Sequence, residues 1–179
     1  NIYEEPKLLD TYGGSAASYS LRHLNSAYDG PAIRVRRDTD NTELDIAFYE
    51  GELDTVTLVD FCLNADGYVT VWHDQSGNGN DLVQATTSLQ PKIYDSVTGI
   101  VTKNGVPSLY ASNSEMTRNA LILSGEFSVY YVATFTGNDM LFGANSYFYM
   151  ILNGNMWAKF DGGNTLKHLT SYVDDDDLL

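Results

Sequence analysis

The chain has 179 residues, 43% of them hydrophobic, which is enough to fill one core of ordinary domain size. Ten Lys and Arg stand against 24 Asp and Glu, and the net charge of −14 argues against nucleic acid and anionic membrane as partners. One cysteine, Cys62, excludes an internal disulfide and a thiolate metal cluster, and no apolar run approaches the length of a membrane span.

In chain order, residues 1–14 read as an irregular lead-in. Ser15 then stands as an N-cap for a short helix carrying Ala16, Ala17, Leu21 and Leu24. Ala32 to Arg37 sets Ile33 and Val35 against Arg34 and Arg36, the period-two pattern of a strand with one wet face, and a second strand is expected over Asp45 to Tyr49. Asp54 precedes Thr55, Leu58, Val59, Phe61 and Cys62, so a second short helix is predicted over Thr55 to Leu63, with Cys62 as a buried small hydrophobe.

From Tyr68 the pattern is almost all strand, and Val69, Val71 and Trp72 lead into a polar loop from His73 to Asp81. Asn104-Gly105 and Asn153-Gly154 each separate two apolar runs and predict two-residue hairpins, because both residue types tolerate positive φ. Phe127 to Phe135 is β-branched and aromatic and predicts a central strand buried on both faces. The fold class is therefore mainly β, an antiparallel β-sandwich of the concanavalin A-like jelly-roll type with two short helices, occupying 15–173 as a single domain with an acidic tail at 174–179.

Several strings carry a resemblance. Leu9-Asp10-Thr11-Tyr12-Gly13-Gly14-Ser15-Ala16-Ala17, Tyr19-Ser20-Leu21-Arg22, Ala32 to Arg37, and Trp72-His73-Asp74-Gln75-Ser76-Gly77-Asn78-Gly79-Asn80 resemble the opening of a jelly-roll family, with Gln90-Pro91 and Asn104-Gly105-Val106-Pro107 following. The set is similar to the start of the catalytic domain of fungal family-54 α-L-arabinofuranosidases, and still more to laminin-G-like, concanavalin A-type domains of phage tail and other virion proteins. The resemblance covers roughly Leu8 to Phe160. Members of the family continue for several more strands, so the sandwich is expected to be incomplete at its C-terminal end.

Retaining glycoside hydrolysis needs two carboxyl groups about 5 Å apart, one as nucleophile and one as acid/base. The resemblance puts the nucleophile near Lys159 to Gly163, where Asp161 is the carboxylate, and the acid beyond Leu179. It also implies an adjacent cysteine pair facing the sugar, where this chain has Met140 and Leu141. On these grounds the expectation is no enzymatic activity.

The remaining candidates are binding groups. Asp74, Gln75, Asn78 and Asn80 offer the planar donors and acceptors that sugar hydroxyls need, with Trp157 and Asp161 as further glycan candidates. The competing reading, which the residue types favour, is that Asp74, Ser76 and Asn78 bond their own backbone to shape a tight turn. Tyr147, Tyr149 and Trp157 fit either a sugar-stacking platform or the core. Asp38, Asp40 and Glu43 form an acidic turn that could ligate Ca²⁺, although Glu43 stands where an EF-hand needs glycine, and a solvated turn is the simpler reading. No other cofactor is implied, and His23, His73 and His168 lack metal spacing.

The functional expectation is a virion-associated structural or adhesion module on the virion surface or otherwise extracellular. Its partners would be other virion protein chains, copies of itself, or host cell-surface glycan. The alternatives are a fragment of a glycoside hydrolase similar to α-L-arabinofuranosidase, and a secreted adhesin domain.

Overall fold

A computed structural model describes residues 6–118, 128, 130 and 132, together with the strands at 139–144, 147–152, 155–159 and 166–168. The chain divides into two compact units, Asn1–Asn119 and Ala120–Leu179. All described strand pairs are antiparallel and the helices are short, so the fold is mainly β as the alternation predicts, and compatible with a sandwich.

The first unit begins with α1 (Leu8–Thr11), followed by β1 (Ile33–Arg37), β2 (Glu43–Ile46), β3 (Phe48–Tyr49), β4 (Glu52–Leu53) and α2 (Thr55–Cys62). It continues with β5 (Gly67–Trp72), β6 (Leu82–Val83), β7 (Lys92–Asp95), β8 (Gly99–Ile100), β9 (Thr102–Lys103) and β10 (Val106–Pro107). The principal sheet runs in the order β2-β1-β5-β7-β8, and β6 also pairs with β5. Opposite Val35, β5 carries a bulge: Arg34 faces Val71 and Val35 faces Val69, leaving Thr70 as the extra residue.

One face of this sheet is apolar and packs against α2. Ile33, Val35, Ile46, Val69 and Ile93 form a cluster with Leu58 and Cys62 of the helix, all fully buried. The helix starts as its sequence predicts. The Asp54 carboxylate accepts the Thr57 amide at 3.0 Å and the Thr57 hydroxyl at 2.7 Å, and Leu63 closes the helix at φ 46°. Gly67 lets helix and sheet approach, since a Cβ there would sit 2.7 Å from Cys62 Sγ. Burial pushes the Cys62 thiol up to about 11, so it is a core side chain rather than a nucleophile.

The Asn104-Gly105 hairpin forms as predicted, with both residues at positive φ and Lys103 opposite Val106. The expected second strand is split into β2 and β3, and the expected first helix is absent. Residues 15–25 are irregular, and the short helix lies earlier, at α1, inside the stretch read as a lead-in.

The second unit contains β11 (Asp139–Ala144), β12 (Tyr147–Leu152), β13 (Asn155–Lys159) and β14 (Leu166–His168), paired in that order. Leu152 opposite Asn155 is the register a two-residue Asn153-Gly154 turn requires. Of the expected central strand, Ser128, Tyr130 and Val132 are exposed and outside any strand, with Tyr130 at 91% and Val132 at 85%, so burial on both faces does not hold for them. The rest of Phe127 to Phe135 and the acidic tail lie outside the described residues.

Candidate functional site

Strand β5 delivers His73 and the Asp74 to Asn80 loop to the edge of the sheet, directly against residues 15–25. Asp74, 2% exposed, is saturated: Oδ1 accepts the amides of Ser18 (2.8 Å) and Ser76 (2.9 Å), and Oδ2 accepts the Ser76 hydroxyl (2.7 Å) and the Asn80 amide (2.9 Å). Gln75 is fully buried. Its amide nitrogen donates to the carbonyls of Ser20 (3.0 Å) and Arg22 (3.1 Å), and its side-chain oxygen accepts the Leu24 amide (2.7 Å). Asn78 Nδ2 donates to the Ser15 carbonyl at 2.9 Å, Asn80 Nδ2 donates to the Ala16 carbonyl, and Tyr19 donates its hydroxyl to the Asn80 carbonyl.

These bonds explain the missing helix. The backbone groups of Ser15, Ala16, Ser18, Ser20, Arg22 and Leu24 are satisfied by side chains more than fifty positions away, so the segment has no need of a local ladder. The loop also spends on the protein the very atoms a sugar would need. Asp74 and Gln75 are thereby clamp residues, while Asn78 and Asn80 are partly exposed members of the same network.

His73 lies between two carboxylates, with Nδ1 3.1 Å from Asp81 and Nε2 3.6 Å from Asp45. Asp45 in turn is held by a bidentate pair from Arg34, both contacts at 2.7 Å, which lowers its pKa. Asp81 also accepts the Asp74 amide at 2.8 Å. A glycosidase acid must be held protonated, with its pKa raised. Among the described residues every carboxyl with a resolved shift (Asp10, Asp40, Asp45, Asp54, Asp66 and Asp95) is shifted the other way. These six are therefore held in the carboxylate form rather than as the acid.

The acidic turn is likewise internally committed. Asp40 pairs with Arg37 at 2.6 Å and accepts the Thr42 amide at 3.1 Å, and the Arg37 guanidinium beside it holds its carboxyl well below the usual range. Glu43 sits in β2 opposite Arg36, and among the described residues no three His, Cys, Asp or Glu side chains converge as a metal site. Trp157 of β13 stands opposite Met150 and His168 in register, out of phase with Tyr147 and Tyr149. Asp161 lies outside the described residues.

Sequence reasoning missed a depression of about 480 Å³ on the polar face of the principal sheet, lined among others by Arg36, Tyr68, Gln90, Lys92 and Tyr110. Alternation assigned Arg36 to a wet face, yet it is only 8% exposed, because Gln90 and Tyr68 close over it. The contacts join residues 54 apart, and no local pattern announces them.

The first unit is thus an antiparallel β scaffold with a buried Asp-Gln clamp and a polar depression. The family described as "Alpha-L-arabinofuranosidase B, catalytic" matches residues 10–165, and the chain belongs to that family. Over 72 residues it is 42% identical to the probable α-L-arabinofuranosidase B of Aspergillus flavus, a match covering 39% of this chain and 14% of that protein. The enzyme of Emericella nidulans gives the same figures, and that of Penicillium canescens is 39% identical over 72 residues, 16% of its length. The chain thus spans less than a fifth of the length of these relatives. A crystal structure of an arabinofuranosidase complexed with arabinofuranosyl-α-1,2-xylobiose aligns over 44% of this chain and 17% of its own, at 32% identity and a TM-score of 0.39.

These findings overturn the virion reading. The strings at Asp10 to Ala17 and Trp72 to Asn80 fall inside the match to the hydrolase family, and the phage terms and the non-enzyme expectation fall with the virion reading.

Proposed function

We propose that this chain is part of a glycoside hydrolase domain that removes α-L-arabinofuranosyl groups from arabinose-containing polysaccharide. The observation that supports this most is the family match across residues 10–165, which extends well beyond the 72-residue segment shared with the fungal relatives. The clamp fits the reading chemically. An active site on a β scaffold needs loops fixed to within fractions of an ångström, and a loop whose carboxylate and amide are saturated by backbone partners is fixed in that way.

In this account Asp74 and Gln75 are structural. The reacting carboxylates lie elsewhere, with Asp161 the candidate nucleophile from the family resemblance. A polymeric substrate of this kind is met outside the cell, which agrees with an extracellular location. The test is to incubate the protein with an arabinose-substituted xylan and quantify free arabinose by chromatography. Time-dependent release of arabinose, with the xylan backbone left intact, is expected; a product profile without arabinose overturns the proposal.

A further inference from the structure

The depression on the polar face of the principal sheet is built more carefully than a surface hollow requires. Arg36 lies at its base, and its guanidinium is positioned by two neutral partners: Nε donates to Gln90 at 2.8 Å and Nη1 to Asn41 at 2.9 Å. Gln90 is itself 4% exposed and anchored through its amide nitrogen to the Gln84 carbonyl at 2.9 Å. Among the described residues Arg36 has no carboxylate partner, and Nη2 makes no hydrogen bond. Nη2 is not shut away from solvent, so its donors are free to meet oxygen atoms of a ligand that enters the depression.

The rim supplies the complementary surface. Tyr110 is 60% exposed, and its backbone is pinned to Lys92 by a reciprocal pair of hydrogen bonds of 2.9 and 2.8 Å, which places an accessible aromatic residue at the edge of a polar hollow. Ser112 and Ser114 line the same depression with hydroxyls that both donate and accept. Tyr68 lies under two cations, with Arg36 Cζ 5.2 Å and Lys92 Nζ 5.5 Å from its ring centroid.

We propose that this depression binds a neutral saccharide, with Arg36 donating to a pair of adjacent hydroxyls and Tyr110 covering the sugar's apolar face. Fixed donors, mixed hydroxyls and an exposed aromatic are the set a polyol needs, and the remaining guanidinium donors can reach two adjacent oxygens. Charge selects a neutral ligand over an acidic one. Lys92 is already paired with Asp66 (2.6 Å) and Asp95 (3.0 Å), Asp38 lines the hollow, and the chain carries a net charge of −14. The hydrolase reading enters only in the choice of sugar.

The test is isothermal titration calorimetry of the full chain with a neutral arabinofuranosyl-xylobiose and, in parallel, with digalacturonic acid. Saturable binding of the neutral sugar is expected, weakened at least about tenfold by Arg36→Met and severalfold by Tyr110→Ala, with the acid bound more weakly. Tyr110→Ala changes an exposed side chain, so its melting curve should match the parent and keep the test decisive if Arg36→Met fails to fold. Binding that neither variant weakens, no saturable binding up to about 10 mM, or preference for the acid overturns the proposal. Hydrolysis is scored separately. Arg36-dependent binding without arabinose release sinks the hydrolase reading alone, and release without such binding sinks this inference alone.

Discussion

The Asp74 carboxylate accepts the Ser18 amide at 2.8 Å across 56 residues of chain. It is one of four hydrogen bonds on a side chain that is 2% exposed, and it ties the loop after β5 to the segment that precedes β1. Removing the carboxylate leaves three buried amides and a hydroxyl to find other partners. Asp74→Ala should therefore destabilise the first unit by about 2–4 kcal/mol, read as a lowered midpoint in urea unfolding. A change within about 0.5 kcal/mol would mean that water replaces the carboxylate at no cost.

Gln75 gives a sharper version of the same test, because its amide nitrogen donates to two carbonyls, at 3.0 and 3.1 Å, inside a fully buried site. Gln75→Glu keeps the shape and replaces that donor with an oxygen facing two carbonyl oxygens. We expect a loss of about 2–4 kcal/mol that becomes smaller at acidic pH, where the new carboxyl takes up a proton and can donate once more. A variant as stable as the parent at neutral pH would show that the clamp is not closed in solution.

Packing of α2 on the sheet depends on the absence of a side chain at Gly67, where a Cβ would meet Cys62 Sγ at 2.7 Å, Tyr94 Cβ at 3.1 Å and Val35 Cγ1 at 3.2 Å. Gly67→Ala should cost about 1–3 kcal/mol through overpacking. Adding Cys62→Ala removes the nearest obstacle, so the double variant should lose less than the sum of the two single variants in a double-mutant cycle. Strict additivity would place the strain elsewhere.

Acid should unfold this protein through its paired carboxylates. The Lys92 ammonium, with the Thr98 and Val97 amides, holds Asp95 down to about 2, and for Asp66 the same ammonium and the Ser96 amide outweigh a burial that acts in the opposite direction. A depressed folded pKa gives stability that is present above the unfolded value and lost as pH falls through the folded one. The urea midpoint should hold from about pH 6 to pH 5 and fall between about pH 4 and pH 2, and Lys92→Met should flatten that fall. A midpoint unchanged down to about pH 2.5 would contradict the assignment.

Where local chemistry decides the structure, the sequence is legible. Asp54 caps α2, Ile33 and Val35 turn inward on β1, and Asn104-Gly105 closes its hairpin, because each rests on neighbours within a few positions. Ser15 reads as a cap by the same logic and is not one, since Asn78, Asn80, Asp74 and Gln75 claim the backbone groups of the segment it would have started. The clamp was legible as residue types, and its preferred reading as a turn-shaping network proved close, but its partners at Ser18 to Leu24 were not legible. Arg36 and its depression were invisible because Gln90 and Tyr68 come from distant strands. The functional assignment failed for another reason: it gave the greater weight to a resemblance to virion proteins, whereas the family match over residues 10–165 is to the arabinofuranosidase B catalytic family.

The most direct check of the hydrolase assignment is a continuous assay with an aryl α-L-arabinofuranoside, run beside the corresponding aryl β-xyloside and an Asp161→Asn variant. The account predicts aryl alcohol release from the arabinofuranoside alone, abolished in the variant. Release from neither substrate, or equal release by parent and variant, would contradict it.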